Sequence, residues 1–473
     1  MSPLIEVSAA RADALLAGTG HLLRDGSIEG QRFTGGPWRG TREPGAMFRA
    51  AYLATHFGNW YEAAPLPEVC RYLEDLGLWG YNTILVHYPT HQFDRIDDDR
   101  SVEWLTRIKA MFKAARACGL RVGLLQCSNQ GLKSTPESWR GRPIENRRGG
   151  NLGFNCCMSK PEALAGIVEL YDALFERFTD IGCDDLVFWP YDEGGCLCDD
   201  CTPWGARGFL KISRLIGQRA VARFPDLRIT VSTWRFPDEQ EGDPSGEWPA
   251  FYKAITADHS WFHCIMADGA DEVNGFVKYL LDHPLPGDLP LVSFPEISMY
   301  AGEWGSKGAL CSKRRFQNQW QNNKPLAQGG AVYSEGIYED MNKVLWAGWW
   351  WQPSADPNDI VRSYAAWEFG SQVGEDACKA IDLLDTLAGP EKTHRALEAN
   401  KLLSAAEDRL DQDVKSCWRW RLLRLRGIIE TEMATAKEGK PPSPAYREAV
   451  EELTRIYHAE SAWPRCKPQY LIT

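Results

Sequence analysis

Apolar positions in this chain come in short continuous runs separated by longer amphipathic stretches. Eight runs, 49–55 (RAAYLAT), 82–88 (NTILVHY), 121–127 (RVGLLQC), 185–191 (DLVFWPY), 228–234 (RITVSTW), 261–267 (WFHCIMA), 289–295 (LPLVSFP) and 329–333 (GGAVY), read as strands buried on both faces. Between them, 66–79, 103–118, 161–180, 206–223, 271–283 and 312–323 carry apolar residues at helical spacing. Buried strands alternating with amphipathic helices imply a parallel sheet covered by helices, and eight such units suit a closed (β/α)8 barrel, of the TIM type, better than an open sheet. The barrel is expected to span about 48–350 and its domain 48–372. Residues 24–47, rich in glycine and with two prolines, predict an irregular passage within an N-terminal lead-in, 1–47. The region 373–473 has no convincing strand. Its helical patterns at 377–388, 393–409, 414–437 and 444–460 predict a helical C-terminal region. No repeat is evident beyond the strand–helix alternation.

The composition adds mainly exclusions. A formal net charge of −11 argues against a nucleic-acid partner, which needs a concentrated basic surface. The nearest approach, Arg419 to Arg426 in WRWRLLRLR, is interleaved with apolar residues at helical spacing and reads as a partly buried helix. No apolar run approaches the roughly 18 residues of a membrane span. The N-terminus lacks a basic segment followed by an apolar one, so no secretory signal is expected. Fourteen cysteines in such a chain suggest thiols or metal ligands in a reducing, cytoplasmic setting rather than a disulfide frame. Twenty tryptophans are enrichment that suits core packing or flat surfaces against the C–H face of a sugar.

In a barrel of this kind functional side chains project from the C-terminal ends of the strands. Here the eight ends carry Thr55-His56, His87-Tyr88, Gln126, Tyr191-Asp192-Glu193, Trp234-Arg235, Asp268, Glu296 and Tyr333-Ser334-Glu335. Cleavage of a glycosidic bond needs a proton donor for the leaving oxygen and a second group at the oxocarbenium-like centre. Glu193 follows an apolar strand and a tyrosine, a setting that raises a carboxylic acid's pKa by desolvation, and is the candidate acid. Asp192 is placed to orient it or to hold a substrate amide. Glu296 is the candidate opposing carboxylate, with Glu335 behind it. Acids in such loops also commonly cap the helices that follow. His56, His87, Tyr191, Trp234, Trp304 and Tyr333 are further candidates for contact with substrate. The run Trp349-Trp350-Trp351 suits either a sugar subsite or a wedge between barrel and helical region.

Immediately after the acid pair stands Cys196-Leu197-Cys198-Asp199-Asp200-Cys201. With a fourth thiol from Cys156 or Cys157 in the neighbouring loop, four sulfurs would make a closed, structural zinc site without an open position. Cys157 is the preferred fourth ligand because it directly precedes the start of a helix. The zinc would pin the loop that carries Glu193. No G-x4-G-K-[ST], strand-linked G-x-G-x-x-G or H-E-x-x-H is present, which removes the usual anchors for nucleotide or catalytic-metal chemistry.

The opening RAAYLATHFGNWY and RYLEDLGLWGYNTILVHYP resemble the first two strands of β-N-acetylhexosaminidases, as does the Asp192-Glu193 pair. That resemblance implies Glu193 as proton donor and Asp192 as the group that positions the substrate's own 2-acetamido nucleophile. Asp192-Glu193-Gly194 with the cysteines also resembles zinc-bearing β-galactosidases, which implies Glu193 as acid/base and Glu296 as nucleophile. WPYDEGGCLCDDCTPWG is similar to bacterial barrel proteins related to α-glucuronidases. The resemblance is confined to the barrel. Phe188-Trp189-Pro190-Tyr191 replaces the hexosaminidase H-x-G-G, and Asp192 replaces the β-galactosidase asparagine. The expectation is an exo-acting, zinc-stabilised glycoside hydrolase of small oligosaccharides, possible as a homodimer. The alternative is a carbohydrate-binding or scaffolding barrel without turnover.

Overall fold

The computed structural model describes residues 6–29, 32–37, 39–142, 155–190, 195–236, 246–269, 276–298, 307–385, 389–437, 442–462 and 467–468. All eight expected strands form, as β3 to β10, after a small hairpin of β1 (Ser27–Glu29) and β2 (Arg32–Thr34). They are β3 (Phe48–Leu53), β4 (Thr83–Val86), β5 (Arg121–Cys127), β6 (Asp185–Trp189), β7 (Arg228–Ser232), β8 (Cys264–Ala267), β9 (Leu291–Ser293) and β10 (Ala327–Ser334). Each pairs in parallel with its neighbours, and β10 returns to pair with β3, so the sheet is a closed barrel.

Side-chain alternation along each strand sorts the apolar residues into two cores. Phe48, Ala50, Tyr52, Leu85, Leu125, Val187, Met266, Val292 and Ala331 pack inside the barrel. Their alternates, among them Ala51, Leu53, Ile84, Val86, Leu124, Leu186, Val231, Ile265 and Val332, meet the surrounding helices. The N-terminal end of the barrel is closed by charge: buried Asp185 accepts from Arg121 Nε and Arg228 Nε, each at 2.9 Å, and the Arg228 guanidinium lies over the Phe48 ring.

The helices follow the amphipathic pattern closely where that pattern is strong. Leu66–Trp79 occupies the expected range and stops at Gly80, whose φ of 110° suits only glycine and whose missing Cβ leaves room for Trp351. The lead-in is more ordered than its glycine content suggests. Helix Ala12–Asp25 and the hairpin precede a final irregular stretch. Helices Glu247–Ala257, Asp340–Trp351 and Pro357–Phe369 have no counterpart in the sequence reading. Asp340–Trp351 is buried almost all round, so it carries no amphipathic stripe to read. Of the expected 271–283 helix, the described residues show Lys278–Asp282.

The tryptophan run turns out to be a packing device. Trp351 Nε1 donates to the Gly80 carbonyl, Trp349 Nε1 donates to that of Ala355, and the Trp350 ring meets Tyr81. The basic run is also consumed internally. Arg421 pairs with Glu452 and Glu407, Arg424 with Glu407, and Arg426 with Glu430. Among the described residues no helix is long and apolar enough to cross a membrane.

The C-terminal helices attach to the barrel through a buried ionic centre. Arg419, at the start of helix Trp418–Thr435, donates to Asp340 (2.8 Å) and Asp75 (2.9 Å) and lies 3.6 Å from Glu368. Asp340 also accepts from the hydroxyls of Tyr72 (2.8 Å) and Tyr364 (2.9 Å). Removing one member leaves the rest buried and uncompensated. Arg419→Met is expected to lose about 3–5 kcal/mol in urea denaturation followed by tryptophan fluorescence. A loss under about 1 kcal/mol would show that solvent already screens the cluster.

Candidate active site

Strand alternation decides which residues crown the barrel. Continuing inward from Tyr52, Leu85, Phe294 and Tyr333 in steps of two brings His56, His87, Glu296 and Glu335 to the C-terminal face. Trp189 and Trp234 reach the same face from β6 and from the turn after β7. Their rings stack at 5.2 Å, and Phe294 meets them at 4.7 and 5.5 Å. Tyr333 and Tyr52 extend this wall, with Tyr52 lying 6.0 Å from Phe294 and 5.9 Å from Tyr333. Gln126, expected at the end of its strand, lies between inward-facing Leu125 and Cys127 and so belongs to the opposite face.

The two histidines stand together, with ring centroids 4.7 Å apart. The Leu125 carbonyl can only accept, so its 2.8 Å contact with His87 Nδ1 places the proton there and leaves Nε2 as a bare acceptor. Burial holds His87 at a pKa of about 3, with His91 adding to the effect against the Leu125 contact. Burial, then His87 and His91, depresses His56 as well. Both rings are neutral at physiological pH, which makes them hydrogen-bonding groups rather than charges.

Glu296 and Glu335 come from neighbouring strands. The β9–β10 ladder resumes beyond Ser293 with a bridge between Glu296 and Tyr333. Glu335 is 3% exposed. Its carboxyl accepts from the Tyr333 hydroxyl at 2.6 Å and from the Ser298 hydroxyl at 3.5 Å. Burial, reinforced by Glu339 and Glu296 against the Tyr333 and Ser298 hydrogen bonds, pushes it up to about 8. Its backbone is equally confined. Glu339 Oε1 accepts from the Ser334 hydroxyl (2.8 Å) and from the amides of Glu335 (2.7 Å) and Gly336 (2.8 Å).

Tyr191, Asp192, Glu193 and Trp304 lie outside the described residues. Both flanks of 191–194 are anchored. Trp204 Nε1 donates to the Pro190 carbonyl at 2.7 Å, and the Gly195 amide donates to Asn129 Oδ1 at 3.1 Å. Asn129 Nδ2 in turn donates to the carbonyls of Cys156 (2.8 Å) and Gly195 (3.3 Å), so one buried amide ties together the loops after β5 and β6.

The thiols converge in the same place. The sulfurs of Cys157, Cys196, Cys198 and Cys201 all lie within 4.8 Å of one another. Cys157 Sγ is 3.5 Å from Cys198 Sγ and 4.0 Å from Cys201 Sγ, bracketing the edge of about 3.8 Å that tetrahedral zinc–thiolate geometry requires. Cys156 points elsewhere and is not part of the group, so Cys157 is the fourth thiol. The Arg142 amide donates to Cys196 Sγ at 3.3 Å, a contact that favours the thiolate.

No protein-family model and no curated protein matches the chain. Solved structures do. A family 89 glycoside hydrolase from Clostridium perfringens, in complex with its substrate GlcNAc-α-1,4-galactose, superposes with a TM-score of 0.61 at 11% identity, over 90% of this chain and 55% of that one. A family 115 4-O-methyl-α-glucuronidase with specificity for decorated arabinogalactans gives 0.57 at 10% identity, over 93% and 62%. A GH138 enzyme targeting pectin rhamnogalacturonan II gives 0.58 at 11%, over 97% and 66%. The chain shares its fold with barrel glycoside hydrolases. It spans 55% to 66% of the length of these three neighbours.

On this barrel, His56, His87, Trp234, Tyr333, Glu296 and Glu335 are gathered on one face. The sequence reading did not single out Tyr52, Phe294 and Ser298. The first two were legible as inward positions, four residues before His56 and two before Glu296, had alternation been followed through each strand end. Ser298 gave no signal.

The folded protein holds the Glu335 proton more tightly than the unfolded chain does. Its contribution to stability is therefore complete below the ordinary carboxylate value of 4.5 and is lost as pH rises through about 8. Glu335→Gln is expected to gain on the wild type by up to a few kcal/mol between about pH 5 and about pH 9. Glu62 and Glu368, each raised to about 7, tilt both proteins alike, so the difference isolates Glu335. Urea midpoints measured in pH steps give the comparison, and parallel profiles would mean an ordinary carboxylate.

Proposed function

We propose that this chain is a glycoside hydrolase, exo-acting on small oligosaccharides or glycosides. The observation that carries the proposal is the placement of Glu296 and Glu335 on neighbouring strands, beside a continuous aromatic wall on the C-terminal face of the barrel. Such a wall suits the apolar face of a sugar ring, and the carboxylates and histidines offer acceptors to its hydroxyls. The neighbours named above act on carbohydrates, and their shared fold supports the same class of substrate.

In this reading Glu193 protonates the glycosidic oxygen as the bond to the anomeric carbon breaks. If Glu296 attacks that carbon, a glycosyl–enzyme ester forms, and water released of a proton by Glu193 then cleaves it. If the substrate carries a 2-acetamido group, its carbonyl oxygen attacks instead and Asp192 orients it. Glu335, neutral below about pH 8, adds no charge beside Glu296 and presents a hydrogen bond to a sugar hydroxyl.

The thiol group fits a structural zinc held by Cys157, Cys196, Cys198 and Cys201, which would fix the loop after β6 relative to that after β5. Purified protein is expected to contain one equivalent of zinc by elemental analysis. Cys198→Ser should lose the metal, and metal-free protein with four freely titratable thiols at these positions would overturn the assignment.

The functional test is hydrolysis of chromogenic glycosides by wild type, Glu193→Gln and Glu296→Gln. The panel should include α- and β-linked N-acetylglucosaminides, galactosides and α-glucuronides. A fall of about a thousandfold or more in Glu193→Gln is expected for the general acid/base. Turnover confined to 2-acetamido sugars would assign the acetamide as nucleophile, and turnover of plain sugars or uronides would assign Glu296. Binding of these sugars without any turnover would replace the hydrolase reading with a carbohydrate-binding one.

A further inference from the structure

The last helix, Pro444–Ile456, begins with a defined cap: the Ser443 side chain accepts from the Tyr446 amide, and Pro444 takes the first turn. Its buried stripe runs Tyr446, Ala449, Val450, Leu453. The same helical spacing carries inward to Tyr457, the residue that ends the helix. Tyr457 is 3% exposed, and its ring lies 4.6 Å from that of Tyr338. Its hydroxyl donates to the backbone carbonyl of Glu335 at 2.8 Å. The C-terminal region therefore touches the candidate active site through a hydrogen bond to the backbone of a site residue.

The other sides of that backbone are occupied from within the barrel domain. Glu339 holds the amides of Glu335 and Gly336, and Lys343 Nζ donates to the Gly336 carbonyl at 2.6 Å. Tyr457 supplies the remaining restraint, on the Glu335 carbonyl. Gly336 makes this approach feasible: a Cβ there would come within 2.8 Å of Trp60 Cβ and 2.9 Å of Tyr457 Cε2 and Oη. The Glu335 side chain leaves the backbone between these two restrained peptide groups, so its aim toward Tyr333 and Ser298 depends on them.

We propose that Tyr457 is a positioning residue for Glu335, by which the C-terminal helical region completes the active face from behind. The proposal rests on the glycosidase reading for its effect on turnover, while its effect on Glu335 is independent of that reading. Tyr457→Phe removes one oxygen and keeps the ring, so folding is preserved. The expected result is a loss of about 5–20-fold in kcat/KM in wild-type background and no further loss in Glu335→Gln, the non-additivity of groups acting as a unit. Gly336→Ala should reproduce the Tyr457→Phe loss by displacing the phenol. Equal losses from Tyr457→Phe with and without Glu335, or unaltered kcat/KM in Gly336→Ala, would overturn the proposal.

Should no glycoside be turned over, the hydrolase reading has failed and a second measurement decides the positioning claim. Glu335 is faced by Tyr333 and Ser298 through hydrogen bonds and by Glu296 and Glu339 through charge. The pH midpoint of the stability difference between wild type and Glu335→Gln reads that environment directly. Tyr457→Phe should move this midpoint by about half a pH unit or more, the shift that a displaced carboxyl gives as its hydrogen bonds change. An unmoved midpoint would overturn the positioning role.

Discussion

Closure of the sheet between β10 and β3 is the constraint on which everything else in this molecule depends. Six residues, Gly329 to Ser334, run in parallel register with Phe48 to Leu53. At the seam the backbones approach so closely that a Cβ on Gly329, at φ 135°, would fall 2.0 Å from the Phe48 carbonyl oxygen. That register brings Tyr52, near the end of the first barrel strand, beside Tyr333, near the end of the last. Without it the aromatic wall would be two separate edges and the carboxylates would have no opposing face.

The sequence was informative wherever a physical period was strong. Continuous apolar runs located all eight barrel strands, because strands covered on both faces have no polar side to interrupt them. The cysteine spacing marked the thiol group for a similar reason, since three sulfurs in six residues have few ways to avoid one another. Helix Asp340–Trp351 escaped notice because it is buried on nearly every side and so lacks a polar stripe. The candidate site was legible in part: strand-end position marked His56, His87, Glu296 and Glu335 for the C-terminal face, where the barrel brings them together. What single-strand reading could not supply was the lateral set, Tyr52 with Phe294 and Ser298 with Glu335, because those neighbours are made by register between strands distant in sequence.

The C-terminal helices look peripheral in sequence, yet two of their buried residues, Arg419 and Tyr457, bond to the barrel domain. Arg419 pairs with Asp340; Glu339, the residue just before Asp340, and Lys343, about one turn after it, hold the peptide groups of Glu335 and Gly336. The ionic centre and the active-face carboxylate are thus carried on a single rigid segment. Burying so many charges costs solvation that the pairing must offset, and the return lies in specificity of placement more than in stability.

The thiol group is also the place where an oxidant would meet neighbouring sulfurs. Cys157 and Cys198 stand 3.5 Å apart, a short movement from the 2.05 Å of a disulfide. An oxidised pair has no thiolates left to give a cation, so ion and disulfide are mutually exclusive occupants of one small space. With zinc bound as proposed, loss of two electrons to an external oxidant would exchange a four-point tie between two loops for a two-point one, leaving Cys196 and Cys201 without the ion. An external oxidant acting on the Cys157–Cys198 pair would thereby release the proposed zinc ion that joins the two loops.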